Sequence, residues 1–395
     1  MIPITKPVFD DDDLALIQEP LKSGWVVQGK YVQQFEDHFN GFTGSRNSVA
    51  VSSCTSALHI AMAALGLQPG DEVLVPAFTW IATPNCVEYM QARPIFVDVS
   101  LDTFNIDADH VERHITPRTK GIIPVHLFGL PADMAPILDI ANRHGLWVVE
   151  DAACGFDSWY KGQHVGTFGE YGCFSFHPRK AITTGEGGML TTQRRDLAEL
   201  ARSLRDHGAS RTDLERHEQK YSFLLAEYQH LGFNFRMTDI QGALGVTQMR
   251  KAEVIMAGRR EAAARYNDLL AEVEWLRRPF QDSHSVHGYQ SYVCLFQPQV
   301  PRFATHDAMF NRRNAMMASL EAKGIITRQG THAPPHLHYY SNKYQIRPHD
   351  YPNAYMAERL TVTLPLYAGM SEDESEQVVE QLRAVFKATS GTRAA

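Results

Sequence analysis

The chain has 395 residues, of which 44% are hydrophobic and 21% are charged, and its formal net charge is −7. This length and composition predict a soluble globular protein with room for two domains, and the acidic balance argues against a nucleic-acid partner. Five cysteines are scattered without CxxC spacing, which indicates a reducing compartment and gives no zinc signature.

The N-terminal region shows no basic stretch followed by an apolar run, and no segment approaches the ~18 consecutive apolar residues of a membrane span. We therefore expect a cytoplasmic protein with no membrane partner. The acidic run at 10–13 predicts the start of a helix, where carboxylates face the positive end of the helix dipole. We favour this interpretation over a metal site.

Short apolar runs alternate with helical patterns between about residues 45 and 195. The alternation predicts an α/β domain whose mostly parallel sheet is covered by helices on both faces. Helical spacing appears at 55–67, 83–92 and 131–145, the last ending on Gly145. The predicted buried strands are 48–53, 71–77, 93–100, 119–129, 146–153, 171–178 and 187–193.

The C-terminal part of the chain has a different pattern. Residues 195–270 are predicted to be largely helical, and a smaller α+β portion follows, with a strand at 288–298 and helices at 307–324 and near 372–388. We therefore expect a large domain, residues 1–250 with the N-terminal segment, and a small C-terminal domain, residues 251–395.

Three groups of polar residues follow predicted strands, at the sheet edge where open α/β sheets bind ligands. The residues at 53–56 enter a helix whose free N–H groups could hold a phosphate, but taken alone this junction favours a simple N-cap. Asp151 ends a strand at the edge of the core, where it either caps the next turn or needs a cationic partner. Ser175 and Lys180 follow another strand, and a lone loop lysine is usually solvated.

Taken together, these groups resemble the DegT/StrS-type sugar aminotransferases, which use pyridoxal phosphate (PLP). The resemblance rests on "EDAA" (150–153), "SFHPRK" (175–180) and "TTGEGG" (183–188), and it continues in order through most of the chain, as in "VPAFTWIATPNCVEY" (75–89) and "GFNFRMTDIQGALGVTQM" (232–249). It implies fold type I of the aspartate aminotransferase superfamily, with PLP as cofactor.

The resemblance also implies roles for individual residues. Lys180 would be the catalytic residue and form the Schiff base with the cofactor, for which a desolvated, electropositive pocket would lower its pKa. Asp151 would pair with the pyridine nitrogen and keep it protonated. The other implied cofactor contacts are Thr55, Ser56 and Ser175 at the phosphate, Trp80 on one ring face, Ala153 under the other, and Asn234 at the phosphate of the neighbouring subunit in a homodimer.

One position departs from the family pattern. Many members have glutamine after "EDAA", near the 3-hydroxyl of the cofactor, whereas this chain has Cys154. A thiol is a weaker hydrogen-bonding group than an amide. We expect Cys154 to contact the cofactor in a different way.

Two further segments border the sugar pocket in the family. The histidine-rich segment 328–340 contains His332 and His336, which we expect to touch substrate, and no carboxylate or cysteine joins them at metal-ligand spacing. We therefore predict no metal site. Trp25, in segment 23–29, either lines the entrance of the same pocket or packs structurally.

The implied function is amino transfer from an amino acid, glutamate by family analogy, to a nucleotide-linked keto-sugar. The "NFRMTDIQGALG" segment favours the branch that aminates carbon 4. An aminocyclitol transaminase is the alternative, because it would have the same cofactor site. A PLP-type sugar dehydratase is disfavoured, since those relatives commonly carry histidine in place of Lys180. A non-catalytic regulator is disfavoured by the complete set of cofactor residues.

Overall fold

The structure is a computed structural model that describes residues 1–211, 217 and 226–391. Its strands are β1 (Asn47–Val51), β2 (Glu72–Pro76), β3 (Arg93–Val97), β4 (Thr119–Ile122), β5 (Trp147–Asp151), β6 (Trp159–Tyr160), β7 (Gln163–His164), β8 (Tyr171–Ser175), β9 (Gly188–Thr192), β10 (Leu276–Arg277), β11 (Ser285–Val286), β12 (Tyr292–Phe296) and β13 (Thr361–Leu364). Its helices are α1 (Asp11–Ser23), α2 (Lys30–Thr43), α3 (Cys54–Ala64), α4 (Ala82–Tyr89), α5 (Ala108–Val111), α6 (Met134–His144), α7 (Arg195–Arg205), α8 (Asp239–Arg250), α9 (Ala252–Leu269), α10 (His306–Ala322), α11 (His338–Tyr344), α12 (Pro352–Leu360) and α13 (Glu372–Gly391).

A seven-stranded mixed sheet dominates the fold, in the order β1-β9-β8-β5-β4-β2-β3. From β8 to β3 all neighbouring strands are parallel, whereas β9 is antiparallel to both β1 and β8. The strands are almost entirely buried, as expected for a sheet that helices cover on both faces. The predicted α/β class with a mostly parallel sheet is confirmed.

A smaller antiparallel sheet, β10-β12-β13, lies in the C-terminal part of the chain. It forms a core with α9, α10 and α13, in which Tyr266, Leu320 and Leu382 are buried. Ile2 joins this core and pairs with Ile325, so the start of the chain packs against its C-terminal part. The domain boundary at residue 250 stays a prediction.

Local signals fix two of the predicted helix ends. Asp10 caps α1 by accepting a hydrogen bond from the Asp13 N–H, and Asp13 bonds back to the Asp10 N–H, so the acidic run does open a helix. At the other end of a helix, Gly145 follows α6 with φ +63°, the left-handed conformation that glycine adopts without strain.

Two predicted segments were wrong in part. The strand predicted at 119–129 ends at Ile122, and Phe128 further along takes a left-handed conformation with φ +60° that no strand can contain. The helical stretch predicted from 195 to 270 is interrupted after Arg205, because residues 206–211 and 226–238 form turns and bridges. The part of that prediction between them lies outside the described residues, apart from His217. Of the helices that the structure describes, none is both long and apolar enough to span a membrane.

Candidate active site

The predicted polar groups meet at the carboxyl ends of neighbouring strands. In the pairing of β5 with β8, Asp151 lies opposite Cys173, two residues before Ser175. Ser175 pairs with Gly188 of β9, and Gly188 pairs with Val51 at the end of β1, just before α3. The topology therefore places Asp151, Ser175 and the N-terminus of α3 side by side.

The N-terminus of α3 is rich in hydroxyl groups and closely packed against β9. Ser53 caps the helix by accepting from the Ser56 N–H at 3.1 Å, and the Ser56 hydroxyl lies 3.0 and 2.9 Å from those of Ser52 and Ser53. A Cβ at Gly188 would lie 2.4 Å from the Ser53 carbonyl carbon, so only glycine permits this approach. Ser53 is thus an N-cap, and hydroxyls beside a helix N-terminus form a donor set that suits a phosphate.

Lys180 lies half-buried in the loop that follows β8. Its N–H donates to the His177 carbonyl at 2.8 Å, and its Nζ donates to the Cys154 Sγ at 3.2 Å. Burial lowers the pKa of Lys180, but Cys154, Cys54 and Asp151 raise it, and the resulting pKa is above its ordinary value. The expected lowering of the lysine pKa is therefore wrong for the chain alone, because the groups around the amine are acidic.

Asp151 is a buried carboxylate at the end of β5. Its Oδ2 accepts from the Thr83 hydroxyl at 2.7 Å and its Oδ1 from the Ala153 N–H at 3.1 Å. Burial raises the pKa of Asp151, although these hydrogen bonds and nearby Lys180 oppose the rise. Such a group suits a cationic N–H partner, which a protonated pyridine nitrogen would provide. The residues present therefore fit PLP.

Two threonines support Asp151 and were not predicted from the sequence. The Thr83 hydroxyl gives its proton to Asp151, so the Thr79 hydroxyl, 2.9 Å away, must donate to Thr83. Thr83 lies in the first turn of α4, whereas Thr79 precedes the helix and forms a bridge with His332. The two threonines of "TWIAT" were the available signal in the sequence.

Glu150, the neighbour of Asp151, faces the opposite side of the sheet. It accepts from the His126 Nε2 at 2.9 Å, and because His126 Nδ1 accepts from the Ala132 N–H, Nε2 is the protonated nitrogen. Three backbone N–H groups also donate to Glu150, at 2.7, 2.7 and 3.0 Å, from Gly166, Phe168 and Gly169. Glu150 is thus a fully paired structural carboxylate.

Trp80 and His332 face each other near Asp151. Their ring centroids are 5.8 Å apart, and the Thr79 N–H donates to the His332 carbonyl at 3.0 Å. Trp80 is 57% exposed, so its indole is available to a ligand. Ala153 is half-buried and holds Asp151 through its N–H. The structure thus brings Trp80, Ala153 and His332 together with the Asp151 group.

His336 is in different surroundings from His332. Its ring lies 5.1 Å from that of Tyr355 and 6.4 Å from that of Tyr351, and both ring nitrogens are buried without a partner among the described residues. Burial lowers the pKa of His336 to about 4. The described contacts do not bring His336 to Trp80, and its predicted substrate contact stays a prediction. Within the described ranges no three His, Cys, Asp or Glu side chains cluster as metal ligands would.

Trp25 and Asn234 lie on segments beside the site. The Trp25 Nε1 donates to the Gln28 carbonyl at 3.2 Å, and the indole covers Gly29, where a Cβ would lie 2.5 Å from it. These contacts favour the packing interpretation of Trp25. Asn234 is exposed, and the next residue, Phe235, accepts from the Ser52 N–H at 2.8 Å. Asn234 is thus close to the N-terminus of α3 in its own chain, and its contact with the phosphate of a neighbouring subunit stays a prediction.

Comparison with known proteins gives matches along nearly the full length. The model of the DegT/DnrJ/EryC1/StrS aminotransferase family matches residues 7–383. The spore coat polysaccharide biosynthesis protein SpsC of Bacillus subtilis is 35% identical over 387 residues, which cover 98% of this chain and 97% of that protein. GDP-perosamine synthase of Caulobacter vibrioides is 34% identical over 394 residues, 98% of each chain. The putative sugar aminotransferase Spr1654 of Streptococcus pneumoniae, in its pyridoxamine phosphate (PMP) form, has a TM-score of 0.90 at 26% identity, with 98% of this chain and 100% of that chain covered.

Proposed function

The chain belongs to the DegT/DnrJ/EryC1/StrS aminotransferase family, and we propose that it transfers an amino group from glutamate to a nucleotide-linked keto-sugar. It is a PLP-dependent sugar aminotransferase, and a solved structural neighbour is known in both PLP and PMP forms. The observation that carries the proposal is the meeting of Lys180 with the buried, raised-pKa Asp151 beside the α3 N-terminus. A lysine, a ring-nitrogen partner and a phosphate seat are the three elements that the chemistry needs.

The proposed mechanism assigns each group a distinct task. When bound, PLP supplies a ring that withdraws electrons from the reacting carbon. Asp151 holds a proton on the ring nitrogen, and Thr83 and the Ala153 N–H keep the carboxylate aimed. The α3 N-terminus and Ser175 would bind the phosphate of PLP, so the cofactor would be held at both ends in the site that contains Lys180.

Lys180 moves the proton in this mechanism. Its Nζ would accept the proton removed from Cα of the amino donor and would return a proton when the keto-sugar is aminated. When the amine is not attached to the cofactor, Cys154 accepts its N–H at 3.2 Å and keeps it in the site. The raised pKa of Lys180 in that state makes its neutral amine a stronger base toward the Cα proton.

The acceptor is proposed to be a nucleotide-linked sugar with a ketone at carbon 4. One relative is named as a GDP-perosamine synthase and another as a polysaccharide biosynthesis protein. The segment containing Phe235 and Met237 resembles that of the family members that aminate carbon 4. It lies beside β1, near the N-terminus of α3. Exposed Trp80 and half-buried His332 together offer an aromatic surface for this acceptor.

A homodimer is part of the proposal. Asn234 is exposed at the edge of the phosphate-binding region, where a second subunit would place its own Asn234 across the interface.

The alternative acceptor is a keto-inositol, because the cofactor site would be the same. The presence of Lys180 argues against dehydration, which in the related enzymes proceeds with a histidine at this position.

The proposal is tested by supplying the purified protein with PLP, glutamate and a panel of acceptors. The panel holds nucleotide-linked 4-keto and 3-keto sugars and a keto-inositol, and the readout is 2-oxoglutarate formation together with the mass of the amino product. We expect turnover with the 4-keto sugars and none with the Lys180→Ala variant. Turnover with keto-inositol alone would establish the aminocyclitol alternative, and loss of water without glutamate consumption would establish a dehydratase.

A further inference from the structure

Gln290 reaches from the segment before β12 to both neighbours of Lys180. Its Oε1 accepts from the Ala181 N–H at 3.1 Å, and its Nε2 donates to the Arg179 carbonyl at 2.6 Å. The buried carboxamide therefore binds the backbone immediately before and immediately after the lysine. Contacts on both sides of one residue restrict the direction in which its side chain leaves the loop.

Gln290 is itself held by a buried arginine. The guanidinium of Arg259, on α9, donates to the Gln290 carbonyl at 2.6 Å and to the Tyr289 carbonyl at 2.9 and 3.1 Å. It also donates to the Leu366 carbonyl at 3.3 Å. Arg259 is only 2% exposed, so these bonds form in a site from which water is excluded.

The backbone around Gln290 is strained and closely packed. Tyr289 has φ +42°, which is unfavourable for a residue with a side chain. A Cβ at Gly129 would lie 2.8 Å from the backbone nitrogens of both Tyr289 and Gln290, and the Gly288 N–H donates to the Gly129 carbonyl at 2.8 Å. Backbone strain of this kind persists only where the surrounding structure determines the conformation. The backbone position from which the Gln290 side chain extends is therefore fixed.

We propose that Gln290 is a positioning residue, which aims the Lys180 amine by fixing the backbone on both sides of it. The inference rests on the proposed role of Lys180. Proton transfer requires the Nζ to serve two carbons in turn, and a displacement of ~1 Å can cost about 100-fold in rate. Arg259 supports the same arrangement from the C-terminal part of the chain.

The test compares Gln290→Leu with Gln248→Leu. Gln248 is a matched control, because its buried carboxamide also accepts from a loop N–H, that of Thr183 at 3.4 Å, and donates to the Val8 carbonyl at 2.9 Å. We expect Gln290→Leu to lower kcat about 100-fold with KM for the sugar nearly unchanged, and to alter the pH titration of the cofactor's visible absorbance. We expect Gln248→Leu to leave that titration as in the wild type.

A second variant keeps the test decisive if Gln290→Leu does not fold. In Gln290→Glu a protonated carboxyl can bind both Ala181 and Arg179 as the amide does, whereas the ionised form cannot donate to the Arg179 carbonyl. We expect its kcat to fall with rising pH relative to the wild type. Wild-type kcat and absorbance titration in Gln290→Leu, or in Gln290→Glu across the pH range, would overturn the proposal. Lys180→Ala, run in parallel, separates the two claims, since retained Schiff-base absorbance with turnover there would refute the role of Lys180 itself.

Discussion

Strand β5 carries two consecutive buried carboxylates, one on each face, and they differ in how many hydrogen bonds they receive from the chain. On one face Glu150 accepts hydrogen bonds from three backbone N–H groups and from His126. On the other face the hydrogen bonds described for Asp151 come from one hydroxyl and one N–H, and burial raises its pKa. A buried carboxylate that its own chain satisfies stabilises the fold, whereas one left short of donors is available to a ligand.

The largest predicted effect comes from replacing each carboxylate by its amide. Asp151→Asn should lower kcat by about 10²–10³-fold, because the ring nitrogen loses its anionic partner. Glu150→Gln should instead lower the free energy of unfolding by about 3 kcal/mol, because its N–H donors lose a charged acceptor. Steady-state kinetics and urea unfolding of both variants measure the two effects.

The stability of the cofactor-free protein sharpens the same comparison. Because the pKa of Asp151 is raised on folding, the wild type loses stability as pH rises through that pKa. Asp151→Asn should therefore be more stable than the wild type at neutral pH and equal to it below the ordinary pKa of 3.8. A loss of stability in Asp151→Asn, or a loss of kcat in folded Glu150→Gln, would contradict the assignment of a functional role to Asp151 and a structural role to Glu150.

A smaller effect is expected at Thr83, which supplies the hydroxyl to Asp151. Thr83→Val should lower kcat about tenfold, as expected for the loss of a hydrogen bond to a charged group. The acid limb of the pH–kcat profile should move to higher pH, because Thr83 lowers the pKa of Asp151. Thr361→Val is the matched control, since this buried threonine also donates one hydrogen bond, at 2.7 Å to the Ala357 carbonyl. An unmoved acid limb in Thr83→Val would contradict the support of Asp151 by this hydroxyl.

The smallest predicted effect is at Cys154, in the loop that follows β5. Cys154→Ala removes the acceptor of the Lys180 amine and should change kcat by no more than about fivefold, the equivalent of one hydrogen bond. Since Cys154 raises the pKa of Lys180, the variant should titrate its amine at lower pH. Rates of amine modification against pH measure this shift, with Cys294→Ala, buried far from the lysine in the smaller core, as control. An unchanged titration of the Lys180 amine in Cys154→Ala would contradict the effect of Cys154 on the pKa of Lys180.

The sequence predicted the large sheet well because its strands are local, continuous apolar runs. Helix α2 was not predicted, although Tyr31, Val32, Phe35 and Phe39 give its buried face a helical spacing. The strand predicted after Ile122 failed for a different reason, since the left-handed Phe128 is held by the segment at 288–291. Tertiary contacts of this kind leave no local pattern.

In the candidate site, too, residues within local motifs were predicted, whereas residues brought in by tertiary contacts were not. Asp151 and Lys180 were predicted from the motifs that contain them, and in the structure the charge of Asp151 acts on the Lys180 amine in the loop after β8. The residues that support them were not, because Thr83 lies 68 positions from Asp151, and Gln290 lies 109 positions from Ala181. His332 and His336 are close in sequence, yet one faces Trp80 and the other packs among tyrosines. Proximity in the chain does not determine which side chains share a site.

The position of the cofactor on the chain tests the role of Lys180 most directly. The protein is incubated with PLP, reduced with borohydride, digested and mapped by mass spectrometry. We expect the reduced cofactor on the peptide that contains Lys180, and we expect Lys180→Ala to be unlabelled. Labelling of a different lysine, or an equal yield of label in Lys180→Ala, would contradict that role.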